Sequence, residues 1–271
     1  MDFNHVAAAW GRWWPVLERG STPVSRRMIE LAAIGPGASV LDLATGVGEP
    51  AINAAKAVAP GGRVVGIDVS PVMLALARER AQREAVTNVE FVEANAATYS
   101  PEQPFDAILS RWGLMFLPNL GAALAHYRNC LRAGGRFAAA TWGAPPEVPL
   151  ISLPMALATR LFNLEPPLLH GGPFALHDPQ ALADAFRTTG YADVAVHDLE
   201  AVYPFDSAAE YFEHVSDVAP PLIALLRQLD DTQIAQLYRE IERVVGERFQ
   251  APDGTLRIPN RVILATATAP G

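Results

Sequence analysis

The chain has 271 residues, half of them hydrophobic, enough apolar side chain for a single large α/β domain carrying insertions. A net charge of −8 and a pI near 5.3 repel phosphate backbones and anionic lipid, so neither nucleic acid nor a membrane surface is expected as a partner. The lone cysteine, Cys130, excludes an intrachain disulfide and a thiolate metal cluster, and no uncharged apolar run is long enough to span a bilayer. The expected setting is a reducing cytoplasm.

The opening stretch MDFNHVAAAWGRWW lacks the basic region and apolar core of a secretory leader. Its Trp10, Trp13 and Trp14 share a helical face, which either covers a ligand crevice or packs on a sheet. From Val40 onward, short apolar runs alternate with helical patterns, the signature of a parallel sheet covered on both faces. Val40 to Leu43, RVVGID, VEFVEAN, FDAILS and GGRFAAATW read as five strands. Between the second and third, Ser70-Pro71 starts a helix with a buried stripe of Met73, Leu74 and Ala77, followed by the charged run Arg78 to Glu84. The segment from Leu120 to Leu131 reads as a helix that places Cys130 in its interior, where a thiol packs and does not attack.

From Gly143 to His177 the prolines forbid one long helix although apolar content stays high, so this segment is expected to fold over something. A helix from Asp178 to Thr189, a strand YADVAVHDLE, two or three helices between Ser207 and Phe249, and a last strand RVILATATA complete the chain.

The stretch VLDLATGVGEPA carries a turn that two cofactor classes can use. Gly46, Gly48 and Ala51 fit the dinucleotide fingerprint, and Asp68 lies where a carboxylate accepts from ribose hydroxyls. Glu49, however, stands where a helix should begin and where a pyrophosphate would need bare N–H groups and positive potential. A cofactor without phosphates, carrying a sulfonium and an ammonium group, fits carboxylates such as Asp42 and Glu49 better. S-adenosylmethionine has that chemistry.

Five ordered motifs, VLDLATGVGEPA, VVGIDVSPVML, VEFVEANAATY, FDAILSRWGLMFL and LRAGGRFAAATW, resemble the class I S-adenosylmethionine-dependent methyltransferases, and most the ubiquinone/menaquinone C-methyltransferase branch. The resemblance implies a Rossmann-like seven-stranded mixed sheet with the last strand antiparallel, helices on both faces and a helical, proline-rich lid. In one domain over 1–271, residues 1–35 would be a helical cap, 36–142 the cofactor-binding core, 143–177 a lid insertion, and 178–271 the rest of the sheet with a helical insertion at 207–250.

By the same resemblance, Asp42, Ala44, Gly46 and Gly48 would line the methionine end of the cofactor. Asp68 would hold its ribose, Val69 and Met73 would sandwich the adenine, and Asn95 with Ala96 would read the adenine edge. The family commonly has aspartate where this chain has Asn95, and a neutral amide makes the weaker hydrogen bond. Ser110 and Arg111 would meet the amino acid moiety through backbone groups. Asp42 can equally cap the glycine loop, and Met73 can equally be core.

For the acceptor, Trp14, Trp112, Phe116 and Trp142 are candidate pocket residues, with core packing as the alternative. His170 and His5 are candidate general bases because imidazole titrates near neutral pH. His126, His177, His197 and His214 fall on predicted elements without a paired acid and read as surface or packing residues, and no metal motif is present. The expected activity is methyl transfer from S-adenosylmethionine, leaving S-adenosylhomocysteine, to a small, fairly hydrophobic quinone-like or natural-product ring at carbon or oxygen. Alternatives are a non-catalytic S-adenosylmethionine-binding protein and an NAD-dependent oxidoreductase; the latter has no tyrosine four residues before Lys56, the only lysine.

Overall fold

Short, mostly apolar strands need cover on both faces, and in the computed structural model of the protein they form the parallel part of one sheet. The structure describes residues 4–165 and 172–271. Among these, the strands are β1 (Ser39–Leu43), β2 (Arg63–Asp68), β3 (Val89–Glu93), β4 (Phe105–Arg111), β5 (Leu131–Trp142), β6 (Ala192–Phe205) and β7 (Leu256–Thr268). Their spatial order is β3-β2-β1-β4-β5-β7-β6. The first five run parallel, and β7 enters between β5 and β6, antiparallel to both. This is the mixed sheet that the sequence motifs imply, with its final strand reversed.

The helices are α1 (Asn4–Leu31), α2 (Ala51–Ala57), α3 (Pro71–Arg83), α4 (Leu120–Arg128), α5 (Pro149–Phe162), α6 (Pro179–Thr188), α7 (Ala208–Val218), α8 (Pro220–Leu226) and α9 (Asp231–Phe249). Ser70, Asp178 and Ser207 cap α3, α6 and α7 by accepting from first-turn amides. The helices bury two cores, one on each side of the sheet. Ile52, Leu74, Tyr203 and Leu237 belong to one, and Leu41, Leu124, Phe137 and Phe186 to the other.

α1 lies across β6 and touches α3 and α7, which brings it over one end of the sheet. That approach depends on Gly20, because a Cβ there would come within 2.5 Å of the Tyr203 ring. Next to it the Ser21 and Tyr203 hydroxyls share a buried hydrogen bond of 2.8 Å.

One local expectation is corrected, and two features go beyond what was expected. The helix expected from Leu120 to Leu131 ends at Arg128, with Asn129 as its C-cap, so Cys130 sits in the turn before β5 and not inside a helix. It remains buried, and burial raises its pKa. As expected, no one long helix spans the described part of the proline-rich segment, but a helix of 14 residues, α5, occupies part of it with Pro154 inside. Pro154 has no N–H for the Leu150 carbonyl, and the Tyr211 hydroxyl donates to that carbonyl and to Pro149 O, each at 3.1 Å. A side chain from α7 thus closes the gap that proline leaves. Finally, Arg80 of the charged run turns inward: its side chain is only 4 % exposed.

Candidate active site

In an open α/β sheet, loops from the carboxyl ends of the strands leave a crevice where the strand order reverses. Here the reversal lies between β1 and β4, and a cavity of about 230 Å³ opens there. Its walls come from Ala44 to Val47 after β1, Asp68 at the end of β2, Arg111 to Gly113 after β4, Trp142 at the end of β5, and α1, α7 and α8.

The glycine turn shapes the first wall. Gly46 has φ +54° and a Cβ placed on it would meet nothing within 4 Å, so the backbone borders open space. Its N–H donates to Asp68 Oδ2 at 2.9 Å, and Ser70 N–H donates to Asp68 Oδ1 at 2.9 Å. These bonds fix the carboxylate at the cavity edge and leave further lone pairs on both oxygens. Burial raises the Asp68 pKa, opposed by the amides of Ser70, Gly46 and Val69.

Two more carboxyl groups lie behind the turn. Asp42 is fully buried and accepts from Ala51 N–H at 3.1 Å; burial pushes it up to about 7, against the opposing Arg111 charge. This is the loop-capping role open to it in the sequence. Glu49 precedes α2, which begins only at Ala51, and its side chain lines the cavity. Asn53 donates to Glu49 Oε2 at 2.6 Å and Arg80 to its Oε1 at 3.1 Å. Burial raises the Glu49 pKa, and the nearby Glu18 carboxylate adds to it. Arg80 also donates to Val47 O at 2.6 Å, and its guanidinium carbon stands 3.2 Å from the Trp14 ring centre. Arg111 reaches back to α1, donating to Ser25 Oγ at 2.8 Å beside Glu18.

The second wall is apolar. Trp112 and Trp142 stack with centroids 4.4 Å apart and planes 10° from parallel. Trp10, Trp14, Met73, Met115, Phe116 and Tyr203 add to it, and Val215, Val218 and the prolines at the start of α8 close the far side. The indole N–H groups of Trp10 and Trp112 are buried without a hydrogen-bond partner.

The structure therefore brings Ala44, Gly46, Asp68, Met73, Arg111, Trp14, Trp112, Phe116 and Trp142 to one cavity. Asp42, Gly48, Val69, Asn95, Ala96 and Ser110 lie outside its lining. Gly48, at φ +100°, packs instead near Ile52 and Ala77. Val69 is 56 % exposed beside α3. Asn95 accepts from Ala97 N–H at 2.8 Å, and the Ala96 carbonyl accepts from the Tyr127 hydroxyl at 2.6 Å. The Ser110 hydroxyl donates to Leu43 O at 3.3 Å. Of the three N-terminal tryptophans, Trp13 leaves the crevice and donates to Asp217 at 2.8 Å. His170 lies outside the described residues, as does the side chain of His5, whose backbone opens α1. Among the described residues no cluster of three His, Cys, Asp or Glu side chains is placed to hold a metal, and no helix is long and apolar enough to cross a membrane.

Sequence reasoning missed His214, which is 1 % exposed and lines the cavity, and Arg80, the buried cation behind the turn. The spacing from Tyr211 to His214 and Val215, one face of an amphipathic helix, was the available signal for the first.

The cavity fits a cationic, phosphate-free cofactor. Two acidic side chains, Glu49 and Asp68, face it, one glycine leaves room along the turn, and the N-terminal turn of α2 is occupied by the protein's own Asp42 carboxylate through Ala51 N–H. A pyrophosphate would find that first-turn amide already taken and two acidic side chains facing it.

The family model "Methyltransferase domain" matches residues 40–135. The chain is 35 % identical to aklanonic acid methyltransferase DauC of Streptomyces sp. (strain C5) over 150 residues, covering 52 % of this chain and 67 % of that protein. It is 37 % identical to the demethylmenaquinone methyltransferase of Thermus thermophilus, covering 45 % of this chain and 55 % of that protein. The matched stretches thus span between about half and two thirds of the relatives' length. Among solved structures, the YcgJ protein from Bacillus subtilis shares the fold, with a TM-score of 0.55 at 19 % identity over 91 % of this chain and 98 % of that one. The chain belongs to the class I S-adenosylmethionine-dependent methyltransferases, whose cofactor is S-adenosylmethionine.

Proposed function

We propose that this protein transfers a methyl group from S-adenosylmethionine to a small, fairly hydrophobic ring, quinone-like or of the natural-product type. The observation that carries the reading is a cavity whose acidic glycine-turn wall faces a wall of stacked tryptophans. When bound, the cofactor supplies an activated methyl group on a sulfonium leaving group. Asp68 would hold the ribose hydroxyls, and Gly46 gives the ligand access to the backbone. Glu49 would face the cationic end, with Arg80 and Asn53 keeping its carboxylate in place. Trp112 and Trp142 offer flat apolar surface on which a ring can lie, and the helices α7 and α8 keep water from the far side. Holding the acceptor in line with the methyl carbon is the main catalytic task of such a site.

The relatives' names support the acceptor class, one being a methyltransferase of aklanonic acid and another of demethylmenaquinone. An open cavity on the acceptor side favours this over a non-catalytic cofactor-binding protein. The test is transfer of an isotopically labelled methyl group from S-adenosylmethionine to a panel of naphthols, naphthohydroquinones and polyketide-derived phenols. Labelled product from at least one ring acceptor, together with S-adenosylhomocysteine, is expected. Cofactor binding with no transfer to any ring, but with transfer to an amine or a protein side chain, would overturn the acceptor class.

A further inference from the structure

The acidic wall of the cavity carries more negative charge than the protein itself balances. Glu49, on the turn before α2, lines the cavity with a side chain only 3 % exposed. Around it stand Arg80 from α3, Asn53 from α2, Glu18 from α1 and Arg111 from the end of β4. Asp42 of β1 is fully buried behind the turn, within the field of Arg111. Asp68 ends β2 at the cavity edge, where the Gly46 and Ser70 amides hold its carboxylate. Glu84 of α3, the remaining acid beside Arg80, is taken by Lys56 at 2.6 Å.

Three largely buried carboxyl groups, Asp42, Glu18 and Glu49, therefore share two guanidinium groups, those of Arg80 and Arg111. Glu18 and Glu49 also crowd each other, since both accept from the Asn53 amide nitrogen, at 3.4 Å and 2.6 Å. An unbalanced charge away from water is costly, and a carboxyl group in that position keeps its proton until a cation comes near. Burial and the Glu18 carboxylate both raise the Glu49 pKa, in keeping with the surplus. Of the three acids only Glu49 lines the cavity. Glu18 is held by Arg111 and by the Thr22 hydroxyl at 3.0 Å, and Asp42 is tied to Ala51 N–H.

We propose that Glu49 is a variable counter-ion for the cofactor's positive charge: it holds a proton while the cavity is empty and releases it to solvent when a cofactor cation takes the proton's place. This inference rests on the cofactor placement proposed above, with Glu49 facing the cationic end. Only the O–H bond of the Glu49 carboxyl group breaks; its proton goes to solvent, and its carboxylate faces the sulfonium or the ammonium group. Arg80 and Asn53 donate to the two carboxyl oxygens in either state, because each oxygen keeps a lone pair for them, so the response is one of charge and not of shape. Where the sulfonium is the partner, methyl transfer removes the charge that Glu49 balances. Glu49 then regains a proton, and the site holds S-adenosylhomocysteine less tightly than S-adenosylmethionine.

The test is calorimetry in buffers of different ionisation enthalpy, which counts the protons released on binding. Three ligands separate the charges: S-adenosylmethionine carries sulfonium and ammonium, S-adenosylhomocysteine ammonium only, and 5′-methylthioadenosine neither. At about pH 6, wild type is expected to release close to one proton with S-adenosylmethionine and almost none with methylthioadenosine. S-adenosylhomocysteine assigns the partner, with the full release for ammonium and none for sulfonium. Wild-type affinity for S-adenosylmethionine should rise at least ~fivefold from about pH 5.5 to 7, and Glu49→Gln should show neither that rise nor the release. Affinity for methylthioadenosine, which reports folding and the ribose end, should be alike in wild type and Glu49→Gln. A measurement that needs no variant is the infrared difference spectrum of wild type, in which a protonated-carboxyl C=O band should disappear when S-adenosylmethionine binds at acid pH. Binding without proton release, an equal release with methylthioadenosine, or a release that persists in Glu49→Gln and so belongs to Asp42 would overturn the assignment. Failure of wild type to bind any of the three would instead remove the cofactor placement on which it rests.

Discussion

On the β1 and β2 side of the cavity, three carboxyl groups crowd a tight turn, Asp42, Glu49 and Asp68, and a buried arginine sits behind them. On the α7 and α8 side, valines and prolines face inward with one imidazole among them. The first wall is made of strand ends and backbone amides, so its geometry is set by the sheet. The second is made of helices laid over the sheet, and its shape is set by packing. A conserved cofactor geometry belongs naturally on the first kind of wall, and a variable acceptor on the second.

The largest expected effect breaks the acidic wall. Asp68→Ala removes the acceptor at the cavity edge along with the anchor of Gly46 N–H, and affinity for S-adenosylhomocysteine should fall at least ~30-fold, as loss of charge-assisted hydrogen bonds does. Calorimetry reads it directly. Next, Arg80→Met strands the buried Glu49 carboxylate and should cost about 3 kcal/mol in urea unfolding at pH 8. The cost should shrink toward pH 6, where Glu49 takes up a proton.

The two walls should also answer pH with opposite sign. Burial raises Asp42 from its ordinary 3.8 to about 7. The folded protein then binds that proton more tightly than the unfolded chain, so this contribution to stability is full below 3.8 and is lost as pH rises through about 7. His214 is lowered from 6.5 to about 4, so its contribution is present above 6.5 and is lost as pH falls toward 4. At full extent these are on the order of 4 kcal/mol for Asp42 and 3 kcal/mol for His214. In urea unfolding, Asp42→Asn should flatten the decline between pH 4 and 7, and His214→Phe should flatten the acid-side decline between 6.5 and 4. A wild-type-like pH profile in either variant would contradict the burial argument for that wall.

A smaller effect is expected where the second wall is stitched together. Tyr211→Phe leaves the Leu150 carbonyl, already without an amide donor because of Pro154, unpaired, and should cost roughly 1–2 kcal/mol. Smallest of all, Arg243→Ala, which breaks surface pairs with Glu240 and Glu247 on α9, should leave the urea unfolding midpoint unchanged.

The same contrast explains what could be read in the sequence. The parallel strands, the Ser70 cap and the placement of Gly46 and Asp68 were legible because each is a local pattern: an apolar run, a turn, an acid at a strand end. Arg80 was not, since nothing in a run of charges says which one turns inward to meet Glu49, 31 residues away. Nor was α5, where the rule that proline breaks a helix is overridden by a tyrosine hydroxyl 61 positions downstream. His214 looked like packing because its burial depends on Trp13 and Phe205, which come from α1 and β6. Local chemistry was visible and long-range satisfaction was hidden.

The claim on which everything else rests is that the acidic glycine turn holds S-adenosylmethionine and not a dinucleotide. Calorimetric titration of the wild-type protein with S-adenosylhomocysteine and, in parallel, with NAD tests it most directly. Micromolar binding of the adenosyl ligand with no heat from NAD is the predicted result. NAD binding without a signal from S-adenosylhomocysteine would contradict it.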